Sequence, residues 1–146
     1  MNICLISQNA SPGLTIFRKD FIRYLIDQGH QVYAFAIDYT VVSREIVSEF
    51  GAIPMDYSLN KSGLNIFADL NDTWLLSKQL KKIQPDIVFS FFIKPSVYGT
   101  LAAKLAKVPR RIAMLEGAGY MYTPSKNKLS FKKIILQYAH GLLISM

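Results

Sequence analysis

Near its start the chain carries Asn2-Ile3-Cys4-Leu5-Ile6-Ser7, followed by Gln8-Asn9-Ala10-Ser11-Pro12-Gly13, and this segment is the strongest indication of the fold class. A short apolar run that ends in a cluster of loop formers is typical of a buried strand leaving a sheet. The next segment spaces Phe17, Phe21 and Leu25, with Ile22 and Ile26, as one helical apolar stripe. Gly29 then ends that helix in the left-handed conformation that glycine adopts easily. The chain therefore opens with a strand, a loop and a helix.

The same alternation continues along the rest of the chain. Further strands are predicted at residues 31–37, 52–57, 86–91, 110–115 and 142–146, and further helices at 42–50, 66–83, 94–107 and 127–139. The long third helix passes through Leu70, Trp74 and Leu80 and stops before Pro85. Apolar strands alternating with amphipathic helices predict a parallel sheet covered on both faces. We expect residues 1–146 to form a single α/β domain, a doubly wound Rossmann-like sheet.

Composition narrows the class of protein. The chain has 146 residues, of which 51% are hydrophobic and 18% charged, so it can bury a core and is not disordered. Its one cysteine, Cys4, lies in an apolar run, which predicts a small buried side chain and is compatible with a reducing cytoplasm. No signal peptide or membrane-spanning run is evident, so we expect a cytoplasmic protein, soluble or peripheral.

Charge is unevenly distributed. Residues 1–73 carry five Lys and Arg against eight Asp and Glu, whereas residues 74–146 carry twelve against two. This asymmetry indicates an anionic partner, for which nucleic acid, lipid headgroups and phosphorylated substrates all qualify.

Topology nominates the place of a site. In a doubly wound sheet of order 3-2-1-4-5, ligands bind beyond the carboxyl ends of strands one and four, where the strand order reverses. The loops there are residues 7–16 and 90–95, joined by residues 116–122 after strand five.

Several common sites are excluded. The first loop has one glycine, Gly13, where a dinucleotide fingerprint needs three, although Asp38 after strand two lies where a ribose-binding acid would stand or where an acid caps a strand. A P-loop, zinc-ligand spacing and a metalloprotease helix are absent from the sequence, so no metal site is expected. With His30 and His140 as the two histidines, a histidine-based triad is not expected either.

Two cations border the nominated site. Lys94 follows strand four at a helix N-terminus, which favours anions, and Arg18 lies near the start of the first helix. Together they indicate a phosphate or carboxylate nearby, and the alternative is that each pairs with a local acid such as Asp20.

The segment Glu116-Gly117-Ala118-Gly119-Tyr120 places a carboxylate, two glycines and an aromatic ring at the mouth of the site. Glycines let backbone approach a ligand closely, and a tyrosine ring with its hydroxyl suits a sugar. The alternative is a tight turn with an exposed acid.

These segments resemble the N-terminal domain of family-four GT-B glycosyltransferases, in particular bacterial enzymes that extend surface polysaccharides and lipid-linked oligosaccharides. The resemblance is carried by five strings: Phe17-Arg18, Gly29-His30-Gln31-Val32, Ser62-Gly63-Leu64-Asn65, Ile93-Lys94-Pro95-Ser96-Val97-Tyr98-Gly99 and Glu116-Gly117-Ala118-Gly119-Tyr120. It departs from many relatives at Phe89, where they carry a histidine, and at Ala118, where a leucine is common.

The resemblance implies retaining transfer from a nucleotide-sugar donor to a saccharide or polyprenyl-diphosphate-linked acceptor, with no cofactor, no essential metal and no nucleic-acid partner. This chain would supply the acceptor side of the cleft. A second domain, absent from this chain, would bind the donor. The acceptor-binding candidates are Gly13, Arg18, Lys94, Glu116, Gly117, Gly119 and Tyr120. Glu116 is the best candidate for orienting the acceptor hydroxyl, because a carboxylate accepts its hydrogen bond.

Two rival functions remain open: a free-standing Rossmann-like module that docks onto a separate donor-binding subunit, and a nucleotide-dependent oxidoreductase or epimerase domain. The predicted helix at residues 127–139 adds a possible membrane contact. Its cluster of Lys126, Lys128, Lys132 and Lys133 would face an anionic membrane or a lipid diphosphate, or else form a solvated surface beside a core-facing stripe.

Overall fold

The computed structural model describes residues 1–60 and 66–116, and within them five strands form one parallel sheet. The strands are β1 (Asn2–Ile6), β2 (Gln31–Ala36), β3 (Ile53–Asp56), β4 (Ile87–Phe91) and β5 (Arg110–Met114), in the order β3-β2-β1-β4-β5. Strand β1 pairs with β2 through Asn2 and Gln31, and with β4 through Ile3 and Ile87. The predicted doubly wound fold and strand order are confirmed.

Four helices connect these strands. They are α1 (Lys19–Asp27), α2 (Val41–Glu49), α3 (Ile66–Ile83) and α4 (Ile93–Leu105). Helix α1 ends as predicted, with Gly29 at a φ of 74° and its amide donating to the carbonyl of Ile26. The first loop is more ordered than predicted, because Ala10–Leu14 forms a short helical turn.

The core lies on both faces of the sheet, because strand side chains alternate between them. On β1, Ile3 and Leu5 pack with Ile22 and Val32 on one face, while Cys4 and Ile6 pack with Leu80 on the other. Cys4 is the small buried side chain predicted from sequence, and burial raises the pKa of its thiol to about 12.

The apolar stripe predicted for the first helix is wrong at Phe17. This side chain is 59% exposed, because α1 begins only at Lys19 and Phe17 lies before its first turn. In α3 the bounds match the prediction, and Leu80 is buried while Leu70 and Trp74 face outward. The predicted helix at 127–139 and strand at 142–146 lie outside the described residues.

Candidate functional site

The loops after β1 and β4 meet at Gly13, at the carboxyl ends of the two central strands. A side-chain carbon on this buried glycine would lie 2.6 Å from Ser7 Oγ, 2.7 Å from Asn9 Oδ1 and 3.4 Å from the ring of Phe92. A carbon there would force the Ser7 and Asn9 side chains to move, so Gly13 lets the first loop pack closely over the end of the sheet. Its predicted contact with an acceptor stays a prediction.

The loop after β5 joins the same place through Arg18 and Glu116. The Arg18 guanidinium forms an ion pair with the Glu116 carboxylate and lies 4.3 Å from the ring centroid of Phe91. The side chains are 15% and 24% exposed, so the pair is open to one side. Burial lowers the pKa of Arg18, which as a guanidinium nevertheless stays charged. The structure thus brings together two residues nominated separately from sequence, and the acid is Glu116 rather than Asp20.

Lys94 is also paired with an acid, in a closed arrangement. Its ammonium contacts both carboxylate oxygens of Asp69, at 3.1 and 3.0 Å, and donates to the carbonyl of Asn60 at 2.8 Å. An ammonium has three hydrogens, and these three acceptors use all of them. Lys94 therefore fastens the chain after β3 and the first turn of α3 to the first turn of α4.

Asp69 was not recognised from sequence, although it is fully buried. It shares the inward face of α3 with Thr73, Leu76 and Leu80, at helical spacing. A carboxylate on a buried face needs a charged or hydrogen-bonding partner, and this was the signal available. The Tyr98 hydroxyl completes its surroundings with a hydrogen bond; burial first, and then Asp69, raises the pKa of Tyr98 to about 12.

Phe92 is a second residue that the sequence did not reveal. It stands between β4 and α4 with a φ of 69°, in the left-handed region that costs a non-glycine residue of order 1–3 kcal/mol. Its ring lies against the position of Gly13. This strained turn presents the start of α4, and with it Lys94, at the end of the sheet.

Two further positions bear on the chemistry. Asp38 accepts a hydrogen bond from the backbone amide of Ala10 at 2.7 Å, so it supports the first loop. Phe89 stands where many relatives of the resembled family carry a histidine, and its ring centroid lies 4.4 Å from that of Phe91 and, edge to face, 5.8 Å from that of Phe21. The floor beneath Arg18 is therefore aromatic and carries no proton-transferring group at Phe89.

Other predicted site residues lie outside the described part of the chain: Gly117, Gly119, Tyr120, Lys126, Lys128, Lys132 and Lys133. Among residues 1–60 and 66–116, no group of three His, Cys, Asp or Glu side chains is placed to hold a metal ion. None of the helices in those ranges is long and apolar enough to cross a membrane.

Comparison with known proteins gives one family. The sequence model of glycosyl transferase 4-like proteins matches residues 2–141. The chain is 29% identical over 136 residues to N,N'-diacetylbacillosaminyl-diphospho-undecaprenol alpha-1,3-N-acetylgalactosaminyltransferase of Campylobacter jejuni. That alignment covers 92% of this chain and 35% of the relative, so the chain spans about a third of the relative's length.

Solved structures show the same fold. A glycosyltransferase from Rickettsia africae matches with a TM-score of 0.56 at 20% identity, covering 86% of this chain and 33% of that one. The UDP-GlcNAc 2-epimerase of Neisseria meningitidis matches with a TM-score of 0.59 at 16% identity, covering 99% and 43%.

Proposed function

The chain belongs to the glycosyl transferase 4-like family, and we propose that it is the acceptor-binding half of a retaining glycosyltransferase. It takes a saccharide whose hydroxyl receives a sugar from a nucleotide-sugar donor. The observation that carries this proposal is the half-open Arg18–Glu116 pair at the point where the strand order reverses.

The chemistry of this pair suits a sugar hydroxyl. Glu116 uses one carboxylate oxygen on Arg18, and a carboxylate has further lone pairs that accept hydrogen bonds. An acceptor hydroxyl that donates to this carboxylate has its oxygen lone pairs directed away from the protein, toward a donor. The aromatic floor of Phe91 beneath Arg18 excludes water from one side and keeps the pair in place.

The relative from Campylobacter jejuni suggests the kind of acceptor. Its name specifies transfer to a saccharide joined by a diphosphate to undecaprenol. We propose a polyprenyl-diphosphate-linked saccharide for this chain too, which requires the site to work at a membrane surface in the cytoplasm. The donor is then held mainly by a second domain, since the matched relative is about three times as long as this chain.

The epimerase and oxidoreductase alternatives receive less support. The likeness to the epimerase concerns the fold alone. Around Gly13 the first loop is filled by Ser7 and Asn9 side chains, which leaves no glycine-lined cradle for a diphosphate.

Calorimetry on the full chain tests the proposal. A water-soluble, short-prenyl diphosphate-linked saccharide should bind, and Arg18→Gln should weaken its affinity about tenfold, because Glu116 loses the guanidinium that holds its carboxylate toward the acceptor hydroxyl. Uridine and guanosine diphosphate sugars should bind more weakly than about 10 μM.

Arg23→Gln is the matched control, since Arg23 lies on the same helix but stacks on Phe50, away from the site. Equal effects of the two substitutions, or tight binding of a nucleotide sugar with no binding of the acceptor, would overturn the proposal.

A further inference from the structure

Helix α3 directs apolar side chains outward. Its inward face carries Asp69 and Thr73 beside Leu76 and Leu80. Its outward face and first turn carry five large apolar side chains that are between 43% and 86% exposed: Ile66, Phe67, Leu70, Trp74 and Leu75. A surface helix ordinarily shows the reverse polarity, and a contiguous exposed apolar patch marks an interaction surface.

The second half of the same face is basic. Lys78, Lys81 and Lys82 are exposed there, and the Lys78 ammonium lies 3.4 Å from the ring centroid of Trp74. Of the acids of α3, Asp69 is buried against Lys94 and Asp72 is half-buried, so this face has three cations and no exposed carboxylate. Aromatic and aliphatic side chains next to lysines are typical of helices that lie in a membrane interface.

A groove lies beside the lysines, between α3 and the chain that follows β3. Its volume is about 790 Å³, and its lining includes Leu59, Leu75, Lys78, Lys82 and Asp56, whose carboxylate is paired with Arg44. The Gln79 amide oxygen is buried there without a hydrogen-bond partner in the described structure. Because the Asp56 carboxylate is already paired with Arg44, the apolar wall and the ammonium groups of Lys78 and Lys82 suit an anionic lipid headgroup and the first part of its chain.

We infer that the outward face of α3 is a docking surface for an anionic lipid bilayer. Phe67, Leu70 and Trp74 enter the boundary between headgroups and acyl chains, and the three lysines contact anionic headgroups. Charge complementarity selects a lipid surface over a second copy of the chain, whose own α3 would bring like charges together. The first turn of α3 also holds Asp69, the partner of Lys94, so docking brings the end of the sheet to the membrane. The inference rests on the proposed function only in taking the acceptor to be lipid-linked.

Trp74 makes the test direct, since it is the one tryptophan of the 146-residue chain. Vesicles containing about 30% anionic lipid should shift its fluorescence to the blue and shield it from an aqueous quencher, whereas uncharged vesicles should bind at least tenfold more weakly. Replacing Lys78, Lys81 and Lys82 by glutamine should lower the affinity for anionic vesicles about 100-fold, because each contributes a factor of about five.

Two control variants match the two halves of the face. Lys104→Gln with Lys107→Gln and Arg110→Gln removes three exposed cations elsewhere, and Val41→Ser with Val42→Ser removes two exposed apolar side chains from α2. Both should bind vesicles like the parent chain, whereas Phe67→Ser with Leu70→Ser should not.

The inference would be overturned by no vesicle binding, by binding that leaves Trp74 fluorescence unchanged, or by a concentration-dependent dimer abolished by Phe67→Ser with Leu70→Ser. Binding that is lost only when Lys126, Lys128, Lys132 and Lys133 become glutamine would assign the membrane contact to that segment instead. Because the acceptor titration uses a water-soluble ligand and no vesicles, failure of the membrane inference and failure of the proposed function are distinguishable.

Discussion

Two cations flank the end of the sheet, and the structure gives them different surroundings. Lys94 is 14% exposed and faces a carboxylate that is fully buried, with all three ammonium hydrogens engaged. Arg18 is similarly covered at 15%, but its partner Glu116 is 24% exposed and sits at the open side of the loops. The Lys94–Asp69 pair holds helix α4 against helix α3, and the Arg18–Glu116 pair leaves a carboxylate accessible to a ligand.

This difference separates residues that build a site from residues that contact its ligand. Both cations satisfied the same criterion in the sequence, a positive charge next to the point where the strand order reverses. Buried ion pairs are costly to break, because the remaining charge loses its partner in a medium of low polarity. Solvent-exposed pairs contribute about 0–1 kcal/mol, and the partly exposed Arg18–Glu116 pair should contribute less to folding than the buried one. The two pairs should therefore respond differently to substitution.

The largest expected effect is on stability at Asp69. Replacing it by alanine leaves the Lys94 ammonium without its carboxylate, and we expect a loss of about 3–5 kcal/mol in the free energy of unfolding. Urea unfolding followed by circular dichroism measures it. Asp72→Ala, on the same helix but half-buried, should change stability by less than about 1 kcal/mol.

If Asp69→Ala does not fold, the free energy of unfolding can be measured on the double variant Asp69→Leu with Lys94→Met instead. Removing both charges together should recover most of the loss. The Lys94–Asp69 pair would not stabilise the fold as proposed if the double variant were no more stable than Asp69→Ala. The same conclusion would follow if Asp69→Ala had the stability of the parent chain.

A smaller effect is expected at Glu116, and on a different property. Glu116→Gln keeps the shape but removes the charge that Arg18 faces, so acceptor affinity should fall about tenfold. The free energy of unfolding should fall by less than in Asp69→Ala, because Glu116 is 24% exposed whereas Asp69 is fully buried. Calorimetry and urea unfolding of the same preparation give both values. A stability loss as large as that of Asp69→Ala would erase the contrast between the two pairs.

The sequence predicted the sheet and most helix bounds because each depends on local apolar spacing. It placed Phe17 in the core wrongly, since spacing identifies a helical face but not the residue at which the helix begins. It nominated Arg18, Lys94 and Glu116 from topology. It missed Asp69 because its partner is 25 residues away, and only the packing of α3 against α4 brings the two together. Phe92 was missed for a similar reason, since a positive φ at a phenylalanine has no local sequence signal.

The smallest expected effect is on the titration of Tyr98, whose hydroxyl lies beside the closed Lys94–Asp69 pair. Burial raises the pKa of Tyr98 from 10 to about 12, and the charge and hydrogen bond of Asp69 act in the same direction. A group whose pKa is raised by folding contributes fully to stability below its ordinary pKa. That contribution is lost as the pH rises through the folded value. Tyr98 should thus stabilise the fold up to about pH 10 and cease to do so toward pH 12.

The phenolate absorbance of the parent chain minus that of Tyr98→Phe isolates this one group among the tyrosines. Its midpoint should lie near 12 if Tyr98 is covered and hydrogen-bonded to Asp69 as the structure places it. A midpoint near 10 would mean that Tyr98 is open to water and that the surroundings of Asp69 are not closed on this side.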